Sequence, residues 1–378
     1  MKRIYFDYAA TTPVDPRVNK AMEPFFMHKF GNTMSIHSFG QEAKIALEKS
    51  RETVADLINA KPNEIIFTGS ATESNNMVLK GIKAKHIIIS SIEHPCIMET
   101  ANWLEKQGFK ITKLPNDKYG LVNPLDVKKA ITKHTGLVSI IHASNEIGTI
   151  QSIEKIGKIC RSRRVYFHTD AVQSFGKIPI DVDKMNIDLL TASSHKIYGP
   201  KGAACLFIKD GVKIEPILHG GGQEMRLRGS TSNVSAIVGF AKACEICKKE
   251  MKKETQRLIK LRDKLIKGAL QIKDSHLTGH AKKRLPNIVN FWFSFIEGES
   301  LVIRLDLKGI AVSTGSACSS AKLEPSHVLL AIGLKPQEAH SSLRISLGRW
   351  TTEKEVNYFI KVLPDIVKNL RRISPYGK

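Results

Sequence analysis

Lys196 follows a short apolar run, with Ser193, Ser194 and His195 before it and Tyr198-Gly199-Pro200 after it. A lysine in this position can push its amine into a crevice, with hydroxyls beside it to hold a phosphate. Schiff-base chemistry needs that arrangement. The plain alternative is a surface lysine in a polar turn. Upstream, Asp170 closes a second apolar run in Phe167-His168-Thr169-Asp170-Ala171-Val172-Gln173. A carboxylate there would keep a pyridine nitrogen protonated and make the ring an electron sink; taken alone, it reads as a helix N-cap. Asp170 and Lys196 end two successive predicted strands, so both can reach one pocket. A third stretch, Thr68-Gly69-Ser70-Ala71-Thr72-Glu73-Ser74-Asn75-Asn76, joins a strand to a helix with small residues. Amides at a helix N-terminus bind phosphate, and Ser70 with Glu73 also spells a capping box.

Cys318 lies in Ser313-Thr314-Gly315-Ser316-Ala317-Cys318-Ser319-Ser320-Ala321-Lys322. Small polar neighbours predict an exposed loop rather than a core element, and most unpaired cysteines are buried fillers instead. At an ordinary pKa only a small fraction would be thiolate near neutral pH, so local help is expected. Cys244 and Cys247 form a CxxC, but they continue the helical apolar stripe of Val234, Ile237 and Ala241 with no second ligand pair nearby. They read as core residues rather than as a metal site.

The elements that must position these residues alternate. Strands are predicted at 64–68, 86–90, 110–114, 137–142, 165–169, 188–192 and 203–208, with helices such as 41–58 and 92–107 between them. Alternation of this kind predicts a mainly parallel sheet covered by helices, with ligands beyond the carboxyl ends of its strands. From residue 233 a long helix to 269 leads into a fresh α+β segment: a strand near 287–293, a helix near 297–307, a strand at 343–347 and a final helix from 352. The expected division is a large domain over 16–255 and a smaller one built from 1–15 and 256–378.

With 378 residues, 42% hydrophobic and 25% charged, the chain has the composition of a soluble globular protein. It has no apolar run of membrane-spanning length and no signal-like start. Six scattered cysteines suit reduced thiols, so a cytoplasmic location is expected. The net charge of +22 admits an acidic partner such as tRNA or an acceptor protein. Without aromatic interleaving or a nucleic-acid motif it reads instead as solvated basic faces, and direct nucleic-acid binding is not expected.

Together with Tyr5-Phe6-Asp7-Tyr8-Ala9-Ala10-Thr11-Thr12-Pro13, Ser35-Ile36-His37-Ser38-Phe39-Gly40 and Ser144-Asn145-Glu146-Ile147-Gly148, these segments resemble the class I, NifS/IscS-type cysteine desulfurases. These belong to the class-V aminotransferase family of fold-type I pyridoxal-phosphate enzymes. The likeness runs almost to the end of the chain, and it implies a seven-stranded sheet and a homodimer. It implies that Lys196 holds pyridoxal 5'-phosphate covalently, Asp170 pairs with the pyridine nitrogen and Gln173 bonds the ring hydroxyl. Ala71, Thr72, Ser193 and His195 would hold the phosphate, with Thr231 supplied by the other subunit. His94, in Glu93-His94-Pro95, would stack on the ring and move thiol protons. Asn145 and Arg344 would hold the carboxylate of L-cysteine. Cys318 would take the sulfur as a persulfide, leaving alanine, and pass it to an iron–sulfur scaffold or a tRNA-thiolation enzyme. No resident metal is implied; a transient iron–sulfur cluster on Cys318 is the one metal contact considered.

The chain departs from the family pattern at Gln223-Glu224-Met225-Arg226-Leu227-Arg228-Gly229-Ser230-Thr231. There the first arginine is displaced by one position and the small residue and glycine before the threonine are inverted. It also ends without the longer tail by which housekeeping members dock a scaffold. A selenocysteine lyase or aminotransferase of the same fold is the competing enzyme reading, although an aminotransferase would have no use for Cys318. A basic binding protein on a retired enzyme fold is the competing reading from outside catalysis.

Overall fold

A computed structural model describes residues 3–315 and 324–374. Cys318 lies outside the described residues. The chain opens with β1 (Ile4–Tyr5) and then lays down β2 (Ile65–Thr68), β3 (His86–Ser90), β4 (Lys110–Leu114), β5 (Thr135–Ser139), β6 (Tyr166–Asp170), β7 (Leu189–Ser193) and β8 (Ala204–Ile208). All but β1 form one seven-stranded sheet in the order β2-β8-β7-β6-β5-β3-β4. It is parallel from β7 to β4, and only β8 runs against its neighbours. β3 is buried along its whole length, as its run of three isoleucines requires of a strand covered on both faces. β4, at the sheet edge, exposes Lys110 and Lys113, charges that discourage pairing with another chain.

One face of the sheet carries the core of Val54, Phe67, Phe167, Phe175, Phe207 and Phe240. The other carries Met77, Leu79, Ile87, Ile89, Leu137 and Leu206. A separate core (Phe6, Leu265, Phe291, Phe293, Leu343, Phe359) surrounds a second sheet. That sheet is built from β9 (Ser275–Leu277), β10 (Ile288–Phe293) and, after β11 (Ile310–Ala311), β12 (Ser342–Ser346). β1 pairs in parallel with β11, and the Ser346 amide donates to Phe6 O at 2.7 Å. The first residues of the chain thus form a two-stranded ladder with β11 and bond to the end of β12 beside the second sheet. The helix Val234–Ala269 contributes to both cores: residues up to Cys247 pack in the first, and Leu258 onward in the second. The boundary expected at 255/256 falls inside this one helix.

The turn after Gln223 holds Glu224, Met225 and Arg226 at φ of +46°, +55° and +67°, a left-handed run that each side chain disfavours by about 1–2 kcal/mol. A buried ion pair fixes it. Arg51 donates through both terminal nitrogens to the Glu224 carboxylate at 2.7 and 3.1 Å, and that carboxylate also accepts the Phe67 amide at 2.8 Å. Removing one partner strands the other charge. Arg51→Met should therefore lower unfolding stability by about 3 kcal/mol, seen in urea as a lower midpoint at unchanged slope. A loss below about 1 kcal/mol would mean that the pair does not hold the turn.

Candidate active site

The parallel strands release their chain at a common edge, and the suspected residues collect there. Asp170 ends β6 and Ser193 ends β7. Lys196 closes the tight turn that follows β7. His94 comes shortly after β3, as N-cap of the helix Pro95–Lys106, and Pro95 at its first position fits a site where no amide partner is needed. Ala71 and Thr72 open the helix Ala71–Gly81 that follows β2. Arg344 reaches in from β12 of the second sheet.

One cavity of about 420 Å³ is lined by Ala71, Thr72, His94, Asn145, Asp170, Gln173, Ser193, His195, Lys196 and Arg344. Thr231 is exposed and does not line this cavity. Also on the wall are Ala9, Ala10, Cys96 and Lys201, none of which was singled out from the sequence. The one available signal for Ala9 and Ala10 was their place in the Tyr5–Pro13 motif.

That motif lies across the lysine. The Lys196 amine donates to Ala9 O at 2.7 Å and Ala10 O at 2.5 Å. The Thr11 hydroxyl meets His195 Nδ1 at 3.1 Å, and the Thr12 hydroxyl donates to His195 O at 2.9 Å. Burial, with Lys196, Lys177 and Lys201 nearby, pushes His195 down to about 4, so this ring is neutral at pH 7.

Asp170 is 5% exposed. Its Oδ2 accepts Asn75 Nδ2 at 2.8 Å and its Oδ1 accepts the Val172 amide at 3.0 Å. The N-cap alternative is thus realised only as a local turn bond, since no helix follows directly. The capping box forms by half. Ser70 Oγ accepts the Glu73 amide at 3.1 Å, but Glu73 turns its carboxylate to the Gly69 amide at 2.9 Å and to Arg228 at 2.7 Å.

His94 Nδ1 accepts the Cys96 amide at 3.2 Å and sits 3.0 Å from Cys96 Sγ. With Nδ1 an acceptor, the neutral ring carries its proton on Nε2. Burial holds the pKa of His94 below the usual histidine value, with Asp170 opposing and Lys196 reinforcing.

Arg344 is 2% exposed. It donates to Asp7 at 2.9 Å and to Asn145 O at 3.2 Å, while its Nε has no hydrogen-bond partner among the described residues. An unpaired buried guanidinium N–H is costly unless an anion meets it.

These features fit pyridoxal phosphate: a cavity within the size range of small-molecule sites, a helix N-terminus on its wall, a lysine amine and a buried carboxylate. They leave an arginine N–H over for a substrate carboxylate. Among the described residues no cluster of three or more His, Cys, Asp or Glu side chains could hold a metal ion, and Cys244 and Cys247 are buried in the first core.

The family model for class-V aminotransferases matches residues 4–359. The chain belongs to this family. It is 52% identical to the cysteine desulfurase IscS of Dictyoglomus turgidum over 384 aligned positions, covering 100% of this chain and 98% of that one. Among solved structures, a NifS-like protein superposes with a TM-score of 0.92 at 40% identity over 97% of this chain and all of its own. A structure described as SspA in complex with cysteine gives 0.82 at 37% identity, covering 92% of this chain and 100% of its own. The chain is a pyridoxal-phosphate-dependent cysteine desulfurase with L-cysteine as substrate.

A second carboxylate lies beneath the cavity. Glu93 is 0% exposed. Its Oε1 accepts Ser90 Oγ at 2.5 Å and the Ile141 amide at 2.8 Å, and its Oε2 has no partner among the described residues. Burial, with a smaller push from Asp170, raises its pKa to about 8, so Glu93 keeps its proton at pH 7. An acid whose folded pKa is raised stabilises the fold at low pH, and that contribution is lost as pH rises from 4.5 through the folded value. Glu93→Gln, neutral at every pH, should match the parent melting temperature near pH 5 and exceed it by several degrees at pH 8. An equal gap at both pH values would show that Glu93 does not hold the proton.

Proposed function

We propose that Lys196, Asp170, Gln173 and His94 hold the cofactor, that Asn145 and Arg344 hold the cysteine carboxylate, and that Cys318 takes the sulfur. The observation that carries this reading is the gathering around one cavity of ten of the residues that the family resemblance implies. When bound, the cofactor supplies an electron sink that lets the cysteine Cα proton leave and loosens the Cβ–S bond.

The protein's own groups do the rest. Lys196 Nζ takes the Cα proton once its amine is released. Asp170 Oδ2, steadied by Asn75, would accept from the ring N–H and hold that nitrogen protonated. Ser193, His195 and the amides of Ala71 and Thr72 meet the phosphate. His94 gives a proton from Nε2 and receives it back there as thiol protons are exchanged. The Cys318 thiolate then bonds to the substrate sulfur as the Cβ–S bond breaks, its electron pair returning to Cβ; protonation there yields alanine and leaves a persulfide on Cys318.

The ends of the chain on either side of Cys318 support this. Ser326 Oγ donates to Glu146 at 2.5 Å, and Gly315 packs on the same carboxylate. Glu146 directly follows the cavity residue Asn145. Gly315 and Ser326, the described residues on either side of Cys318, thus both meet the residue next to the cavity-lining Asn145.

The homodimer reading rests on an exposed apolar surface. Phe26, Met27, Phe30, Met34, Ile36, Phe39 and Ile45 are all exposed, Ile36 at 92%, and surfaces of this kind mark contact sites. Met34 and Ser232 line one groove, so this face adjoins Thr231 and would carry Thr231 toward a second copy's phosphate. Ile36→Asp should shift the protein from dimer to monomer in sedimentation and weaken cofactor retention; a stable cofactor-loaded monomer would remove Thr231 from the site.

No described helix is long and apolar enough to cross a membrane, in keeping with the proposed cytoplasmic location. An iron–sulfur scaffold or a tRNA-thiolation enzyme is the proposed receiver, by the chemistry of a transferable persulfide.

Mass spectrometry of cofactor-loaded protein given L-cysteine should find one added sulfur on Cys318 with matching alanine. Cys318→Ala should keep the cofactor absorbance and lose the persulfide. Alanine without persulfide in the parent protein would replace the Cys318 role with direct sulfide release.

A further inference from the structure

Lys177 is a half-buried amine to which the chemistry above gives no task. It lies where the helix Val234–Ala269, the Gly176 turn and the strands of the second sheet meet around an internal gap of about 20 Å³. Its amine donates to Gln173 O at 3.0 Å and Gln173 Oε1 at 3.3 Å. Gln173 in turn donates through Nε2 to Ala9 O at 2.9 Å, the same carbonyl that accepts the Lys196 amine at 2.7 Å. The amide orientation of Gln173 follows from these partners. An ammonium has only donors, so the atom facing it is oxygen; a carbonyl has only acceptor pairs, so the atom facing it is nitrogen. Nε2 carries two protons and Ala9 takes one. Gln173 lines the cavity with a donor locked in place from behind.

We propose that Lys177 is a positioning residue that fixes Gln173 as a hydrogen-bond donor toward the cofactor's ring hydroxyl and, through its charge, favours that group's ionised form. This rests on the cofactor reading above. The charged and titratable groups around Lys177 are His195 and Lys196 from the turn after β7, Tyr198 beside them, Cys247 and Glu254 from the long helix, and Arg349 beyond β12. Burial, with Lys196 adding to it, lowers Lys177 to about 7, while Cys247 and Glu254 act the other way. The influence of Lys177 is therefore strongest below neutral pH.

A purely structural lysine would affect melting temperature alone. A lysine acting through Gln173 moves the proton equilibrium of the bound cofactor. Removing a nearby positive charge makes deprotonation harder, so the midpoint must rise. In Lys177→Met holoenzyme the pH midpoint of the cofactor's absorption should rise by about one unit, a tenfold change in proton affinity. Lys177→Arg, which keeps the charge, should stay close to the parent. In a Gln173→Leu background the Lys177→Met shift should shrink by about half or more, because part of the path is gone. A Lys177→Met midpoint within about 0.2 units of the parent, with cofactor bound, overturns the proposal. Should Lys177→Met not retain the cofactor, Lys177→Gln, which keeps a donor without the charge, carries the same expectation and the same overturning result. A parent protein with no cofactor absorbance would instead sink the cofactor reading itself, a distinct outcome.

Discussion

An amine in a cavity away from bulk water must find acceptors, and Lys196 finds them in the carbonyls of Ala9 and Ala10. Much of the architecture serves that contact. For residues 9 and 10 to lie over the carboxyl ends of the large sheet, the chain just before them must be fixed elsewhere. β1 achieves this by pairing with β11, and Phe6 by accepting the Ser346 amide. The N-terminal segment is thus a strap between two sheets, and the hydroxyls of Thr11 and Thr12 then bind the backbone and ring around the lysine.

The site gives its two buried carboxylates different partners, and burial keeps Glu93 protonated. Asp170 has an amide side chain and a backbone N–H on its two oxygens. Glu93 has both donors on one oxygen, and the other faces no partner among the described residues. A carboxylate solvated on one side only is the one that burial can neutralise. The same effect appears in the histidines: His94 and His195 are neutral by burial, which leaves the positive charge in the cavity to the lysines and Arg344.

Much of this was legible in the sequence because the sheet is buried. Continuous apolar runs such as Ile87–Ile89 fix β3, and the residues just past the strands are those exposed to a ligand. Strand limits were less legible where polar residues belong to the ladder. β5 starts at Thr135, whose hydroxyl binds His86 at 2.7 Å, rather than at Leu137, and it stops at Ser139 rather than at His142. The capping box at Ser70 was half right because Arg228, distant in sequence, draws Glu73 away. Lys177, Cys96, Asn75 and Asp7 were not legible as site residues. Asn75 and Asp7 owe their places to partners brought by the fold, Asp170 and Arg344, whereas Lys177 and Cys96 meet near neighbours, Gln173 and His94, whose own roles are set by the cavity. Thr231 raises the same problem one level higher, since any role it has depends on a second chain.

Arg344 links the proposed substrate contact to the described chain on either side of the proposed nucleophile. Its side chain reaches the cavity while its backbone exchanges two hydrogen bonds with Ser313, the Arg344 amide to Ser313 O at 2.7 Å and the Ser313 amide to Arg344 O at 3.2 Å. Ser313 begins the short run of chain that leads to Cys318. On its other side Arg344 donates to Asn145 O, and the next residue, Glu146, accepts from Ser326 beyond Cys318. The arginine that would hold the substrate carboxylate is therefore tied by backbone bonds to the approach of the cysteine segment and, through Asn145 and Glu146, to its return. A substrate carboxylate that satisfied the unpaired Nε would bear on the same residues that anchor both ends of that segment. On the proposed roles, substrate binding at Arg344 and the anchoring at Ser313 and Ser326 share one set of contacts, so a change at either is expected to be felt at the other.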